Sequence, residues 1–266
     1  MHTFPRHLLA LAATSALLAV AAPAHAQSQL VTVTVQNLTA PGGIAFAPLH
    51  FGFNNGTFDA FNIGGVASAP IISVAEGGSG TAWQPAFAAA DPGATRGTVG
   101  GLLLAGASAS LTVLVDPASN PFFTFGAMVV PSNDFFIGND SPTRYRVFDA
   151  AGNLLLGSIG QKASQIWDAG SEIFDPAASA FVGTNSLRAA QNSVVAFNFA
   201  ELAAYDGLTT GAGYVFNSGL TGDTDIYRIS FAVAPVPEPG TYALLSAGLL
   251  GVGWVARRRR APSDRR

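Results

Sequence analysis

The sequence predicts an all-β protein: an antiparallel β-sandwich, with an N-terminal signal helix and a C-terminal transmembrane helix attached. Three observations lead there. Apolar and polar residues alternate with a period of two in several short segments, the spacing of half-buried strands. These segments are separated by turn-forming clusters such as Asn54-Asn55-Gly56 and Glu76-Gly77-Gly78-Ser79-Gly80, which favours short strands joined by tight connections. Two apolar runs lie at the extreme ends, each beside basic residues.

The elements follow in chain order. His2, Arg6 and His7 precede an apolar run from Leu8 to Ala22, and Pro23 breaks it before Ala24-His25-Ala26. Small residues at both ends of that triplet predict a secretory signal peptide over residues 1–26, cut by signal peptidase after Ala26. Val31, Val33 and Val35 alternate with Thr32, Thr34 and Gln36, the first strand of the exported part. A helix is expected over Trp83–Ala90. Leu111–Val115 reads as a strand stopped by Asp116-Pro117, and Phe125–Val130 as a strand buried on both faces. Arg144–Phe148 and Leu154–Ile159 flank Asp149-Ala150-Ala151-Gly152-Asn153, the pattern of a hairpin with a Gly-containing loop. Val195, Phe197 and Phe199 alternate, and a short helix is expected over Phe199–Tyr205. Tyr227, Ile229, Phe231 and Val233 form the last strand, which runs into a proline-rich linker over residues 235–240. An apolar segment, 241–256, is predicted to span a membrane, although roughly 17–25 residues are usual for a crossing. Arg257–Arg260 open a basic tail over 257–266 that holds its end on the cytoplasmic side.

Composition limits what the central part can do. Between residues 27 and 234 there are six Lys or Arg and fourteen Asp or Glu, a formal charge of minus eight, against minus three for the whole chain. Such a domain repels phosphate backbones, so nucleic-acid binding is not expected. There are no cysteines, so rigidity must come from the core or from a metal rather than disulfides. The length fits one domain.

Two acidic loops carry the candidate chemistry. One is Val130-Pro131-Ser132-Asn133-Asp134, after a buried strand; the other is Trp167-Asp168-Ala169-Gly170-Ser171-Glu172. On spacing alone Asp134, Asp168 and Glu172 read as acids that cap turns by accepting backbone N–H groups. If the loops meet at one sandwich edge, three hard carboxylates converge, and these suit Ca²⁺. The two motifs, in this order, resemble the spondin N-terminal domain, whose fold is a β-sandwich similar to calcium-dependent lipid-binding modules. The resemblance extends over most of residues 27–234 and implies a Ca²⁺ site with Asp134, Asp168 and Glu172 as side-chain ligands, reversing the turn-capping reading. Glu76 is a weaker fourth candidate, and Asp223-Thr224-Asp225 reads as a polar turn. Ser171 stands where the family usually has Thr.

The C-terminal parts resemble a second family. Pro237-Glu238-Pro239, the apolar span and the arginine cluster are similar to the PEP-CTERM sorting signal. This implies export through the inner membrane of a Gram-negative bacterium, transient anchoring there, and processing at Pro237, Glu238 and Pro239 by an exosortase-type transpeptidase. It also implies a place at the cell surface or in a biofilm or exopolysaccharide matrix. Catalytic patterns are thin. His50, the one histidine of residues 27–234, reads as structural, and no G-x-S-x-G elbow surrounds any serine. The sequence therefore favours a Ca²⁺-stabilised, non-enzymatic adhesion or binding protein. Its expected ligand is a polysaccharide or another surface protein; Trp83, Phe135 and Phe136 would contribute where exposed, although burial in the core is the expected use of most of them. The alternative is a secreted carbohydrate-active hydrolase using an acidic pair.

Overall fold

The long alternating segment at residues 29–37 sets the architecture, because burying Val31, Val33 and Val35 requires a second layer beneath them. In the computed structural model, which describes residues 27–235 and 248–249, that layer is a second antiparallel sheet. The strands are β1 (Gln29–Asn37), β2 (Ala45–Phe46), β3 (Leu49–Asn54), β4 (Thr95–Val99), β5 (Ser108–Val115), β6 (Phe122–Val130), β7 (Phe135–Gly138), β8 (Ser158–Lys162), β9 (Trp167–Asp168), β10 (Ala196–Phe197) and β11 (Asp225–Pro235). Two helices, α1 (Ala69–Gly77) and α2 (Trp83–Ala90), lie between β3 and β4 in the chain. One sheet has the order β5-β1-β11-β8. The other has the order β10-β9-β7-β6-β3-β4, with β2 added beside β6.

The sheets meet over an aromatic core. Phe231 from the first sheet packs on Phe53 and Phe123 of the second, with ring centroids 5.8 and 4.9 Å apart. Each fully buried ring contributes about 1.5–3 kcal/mol through removal from water. The alternation in β6 sends Phe123, Phe125, Ala127 and Val129 into this core. Its opposite face lies under the helices, where Trp83 comes within 3.3 Å of the position a Cβ on Gly126 would take. β6 is thus buried on both faces, as its continuous apolar run implies.

Several expectations need correction. Trp83, Phe135 and Phe136 are all buried, so none is a surface contact. The predicted hairpin shrinks to one bridge, Phe148 to Leu154, because the Asp149 carboxylate accepts the Ala151 and Asn153 N–H groups and coils the turn. The strand expected over Val195–Phe199 is only two residues long, and the short helix that follows is a 3₁₀ turn over Ala200–Tyr205. Ala75–Gly77, read as loop, closes α1, with Gly78 in the left-handed region at φ 60° as its cap. Among the described residues no helix is long and apolar enough to cross a membrane. The signal segment with Ala26, and Pro237, Glu238 and Pro239, lie outside the described residues, as does the predicted span apart from 248–249.

Candidate functional site

The two acidic loops do meet. β7 pairs with β9, which sets Phe135 opposite Asp168 and brings the Asp134 loop against the Asp168–Glu172 loop. The contact is built chiefly by Asp134, which is buried. Its Oδ2 accepts the Ser171 N–H at 2.7 Å, the Ser171 hydroxyl at 3.1 Å and the Glu172 N–H at 3.0 Å. Asp168 caps its own turn, accepting the Gly170 N–H at 2.7 Å. Gly170 must be glycine here: its φ is +66°, and a Cβ would come within 2.8 Å of the Val194 carbonyl oxygen. The turn-capping role that spacing alone predicts is therefore filled by Asp134 and Asp168.

Glu172 is placed differently. Its Oε1 lies 3.3 Å from Arg188 Nη1, while Oε2 is buried without a hydrogen-bond partner. Arg188 Nη2 donates to the Glu76 carbonyl at 2.8 Å, tying this loop to the end of α1. Glu76 is thus a neighbour of the site through its backbone. The remaining support comes from Asn133, whose Oδ1 accepts the Asp175 N–H and the Tyr205 hydroxyl, and from Ser132, whose hydroxyl donates to the Val129 carbonyl.

Burial and neighbouring charges perturb Asp134 and Glu172. Burial and the nearby Asp168 carboxylate push Asp134 up to about 6, against the pull of its Ser171 and Glu172 donors. Burial pushes Glu172 up to about 7; Arg188 opposes this, while Glu76 and Asp134 add to it. Carboxylate oxygens are hard donors of the kind Ca²⁺ takes, and an Asn133 side-chain hydrogen bond also works against the rise at Glu172. Among the described residues, however, no three His, Asp or Glu side chains are grouped to hold a metal ion. Arg188 supplies the positive charge instead. Sequence reasoning missed Arg188; the one signal pointing to it is that it is one of six basic residues in an acidic region.

His50 is structural. It is buried, with Nε2 3.0 Å from the Gly78 carbonyl and Nδ1 2.9 Å from the Thr98 hydroxyl. A carbonyl only accepts, so Nε2 carries the proton and Nδ1 accepts from Thr98. Both nitrogens are engaged, and burial holds the ring's pKa below its usual value. Asp223, in the predicted polar turn, is exposed and pairs with Lys162 at 3.3 Å.

Comparison with known proteins identifies one segment. Residues 235–260 match the family described as the PEP-CTERM protein-sorting motif. No curated protein matches the chain. The chain thus carries a sorting signal of the exported, exosortase-processed kind; that match does not bear on the likeness to spondin domains.

Proposed function

We propose that the chain is a non-enzymatic binding module of the cell surface or extracellular matrix, with a polysaccharide or another surface protein as its ligand. It is made as a precursor held transiently in the inner membrane of a Gram-negative bacterium, and an exosortase releases or transfers it. The observation that carries this reading is the junction at residue 235. β11 ends at Pro235, and the sorting motif begins at residue 235. Cutting at Pro237–Pro239 would remove most of the motif and leave every described strand of the sandwich whole.

Ca²⁺ belongs to this proposal as a stabiliser at Asp134, Asp168 and Glu172, supported by the raised pKa values of Asp134 and Glu172. The non-enzymatic reading is supported by burial. A hydrolase needs two carboxylates facing a sugar, whereas Asp134 is 2% and Glu172 6% exposed. The test is the intact mass of the product of the full chain, expressed in a Gram-negative host with and without an exosortase. The expected product lacks residues 1–26 in both hosts. It lacks the residues beyond the Pro-Glu-Pro segment only when the exosortase is present. A surface or secreted species that still carries Arg266 in the exosortase-bearing host would sink the idea.

A further inference from the structure

We infer that a groove lined by Trp167, Tyr145, Arg144, Asp140 and Gln165 binds one pyranose unit of a polysaccharide. This rests on the reading of the chain as a surface binding module, and it gives that module a location for its ligand. The groove lies beside a crossing of the chain between the two sheets of the sandwich. On one side β4 lies against β5, with the Thr95 hydroxyl donating to the Leu114 carbonyl at 3.0 Å. On the other side the chain crosses from β8 to β9 through a single 3₁₀ turn at Ala163–Gln165. Beside that crossing opens a cavity of about 270 Å³.

Its walls and its polar groups belong to different chemistries. Trp167, Tyr145 and Ile63 supply apolar surface. Trp167 is held between Phe61 and Phe197, at ring-centroid distances of 6.3 and 6.2 Å. The polar groups keep unused capacity. Asp140 Oδ1 accepts the Ile63 N–H at 2.9 Å, and Oδ2 has no donor among the described residues. Gln165 Oε1 accepts the Lys162 N–H, which leaves its amide NH₂ unengaged. Arg144 makes no ion pair or side-chain hydrogen bond among the described residues; its guanidinium lies 5.5 Å from the Tyr145 ring centroid. The Tyr145 hydroxyl accepts from Gln161 at 3.2 Å and keeps its own hydrogen.

These groups are also fixed in place. Asn139 Oδ1 accepts the Phe125 N–H at 3.0 Å, and its Nδ2 donates to the Ser141 carbonyl at 2.8 Å. The Arg144 N–H donates to the same carbonyl at 3.1 Å. The loop bearing Asp140 and Arg144 is thereby clamped to β6, so little ordering is left for a ligand to impose.

The match is to a sugar. A pyranose has C–H faces that pack on aromatic rings and a rim of hydroxyls that each donate and accept. A purely apolar ligand would leave Asp140 and Arg144 desolvated and unpaired. A phosphate would face the Asp140 carboxylate in an acidic domain. The volume lies just under the roughly 300–1,000 Å³ of drug-sized sites, which suits one ring rather than an extended chain.

The test uses the full chain in a non-glycosidic detergent. Methyl glucoside, methyl galactoside, methyl mannoside and glucuronic acid are titrated by saturation-transfer NMR. At least one should bind with Kd on the order of millimolar. Arg144→Ala, at an exposed position, and Asp140→Asn, which can still accept from Ile63, should each weaken it about tenfold with unchanged melting temperature. Absence of binding by all four probes, or binding indifferent to both substitutions, overturns the groove assignment alone. Failure of the surface-module reading is read separately, from a product that keeps Arg266 in the mass experiment.

Discussion

Asp134 is a buried carboxylate that the fold uses as a staple, and its protonation is the clearest residue-scale handle on stability. Its pKa is raised to about 6, and Glu172's to about 7. Between the unfolded value near 4 and these native values, the folded state holds protons that the unfolded chain has released. Stability contributed by the neutral forms is therefore full below about pH 4 and falls as pH rises toward about 7. For Asp134 the loss is on the order of 3 kcal/mol. In EDTA the melting temperature should fall across that window. Asp134→Asn keeps an oxygen for the Ser171 and Glu172 donors and should flatten the slope; an unchanged slope would refute the assignment. Above pH 7, added Ca²⁺ should raise the wild-type melting temperature if the carboxylates hold the ion, and equal curves with and without it would remove the metal from the proposal. Each of the two loops was legible as an acidic motif because its own residues are contiguous in sequence. Arg188 was not, since its contact with Glu172 depends on how a long irregular segment returns to the sheet.

At the scale of elements, legibility follows the hydrophobic pattern. β1, β5, β6 and β11 announce themselves by alternation or by a continuous apolar run, and α2 by its Ala-rich helix formers. β3 also alternates, with Leu49, Phe51 and Phe53 facing the core, but Gly52 in its centre disguises it as a turn. The reason lies in the partner layer: a Cβ on Gly52 would sit 2.3 Å from Phe87 Cζ of α2. The glycine lets the helix approach the sheet, a constraint no local pattern reveals. Gly52→Ala should therefore destabilise the domain by about 1–3 kcal/mol, measured by chemical denaturation. Phe87→Ala removes the clashing ring, so the double variant should be more stable than the sum of the two single losses predicts. Strict additivity would mean that the two side chains do not compete for one space. α1 was hidden for a different reason. It is nine residues long and ends in Gly77-Gly78, so its cap looks like the start of a loop.

For the whole molecule, the decisive relation is between the sheet and the two ends of the exported part. Gln29, three residues after the predicted signal cleavage at Ala26, pairs directly with Pro235, where the sorting motif begins. Both junctions leave the sandwich side by side, from neighbouring strands of the same sheet. Under the proposed tethering through the C-terminal segment, the Gln29–Pro235 end of a precursor would face the membrane and the other end would face away. β11 has 11 residues, and at about 3.3 Å each it separates the ends by roughly 35 Å. The absence of native cysteine makes this directly measurable with single labels at Ser28→Cys, beside the junctions, and at exposed Ala40→Cys, just past the far end of β1. In membranes from a host lacking exosortase, energy transfer to an acceptor-labelled lipid should be markedly stronger from position 28 than from position 40. With exosortase present, the released fraction should lose transfer from both. Equal transfer from the two positions in the precursor would show that the sandwich tumbles freely about its tether.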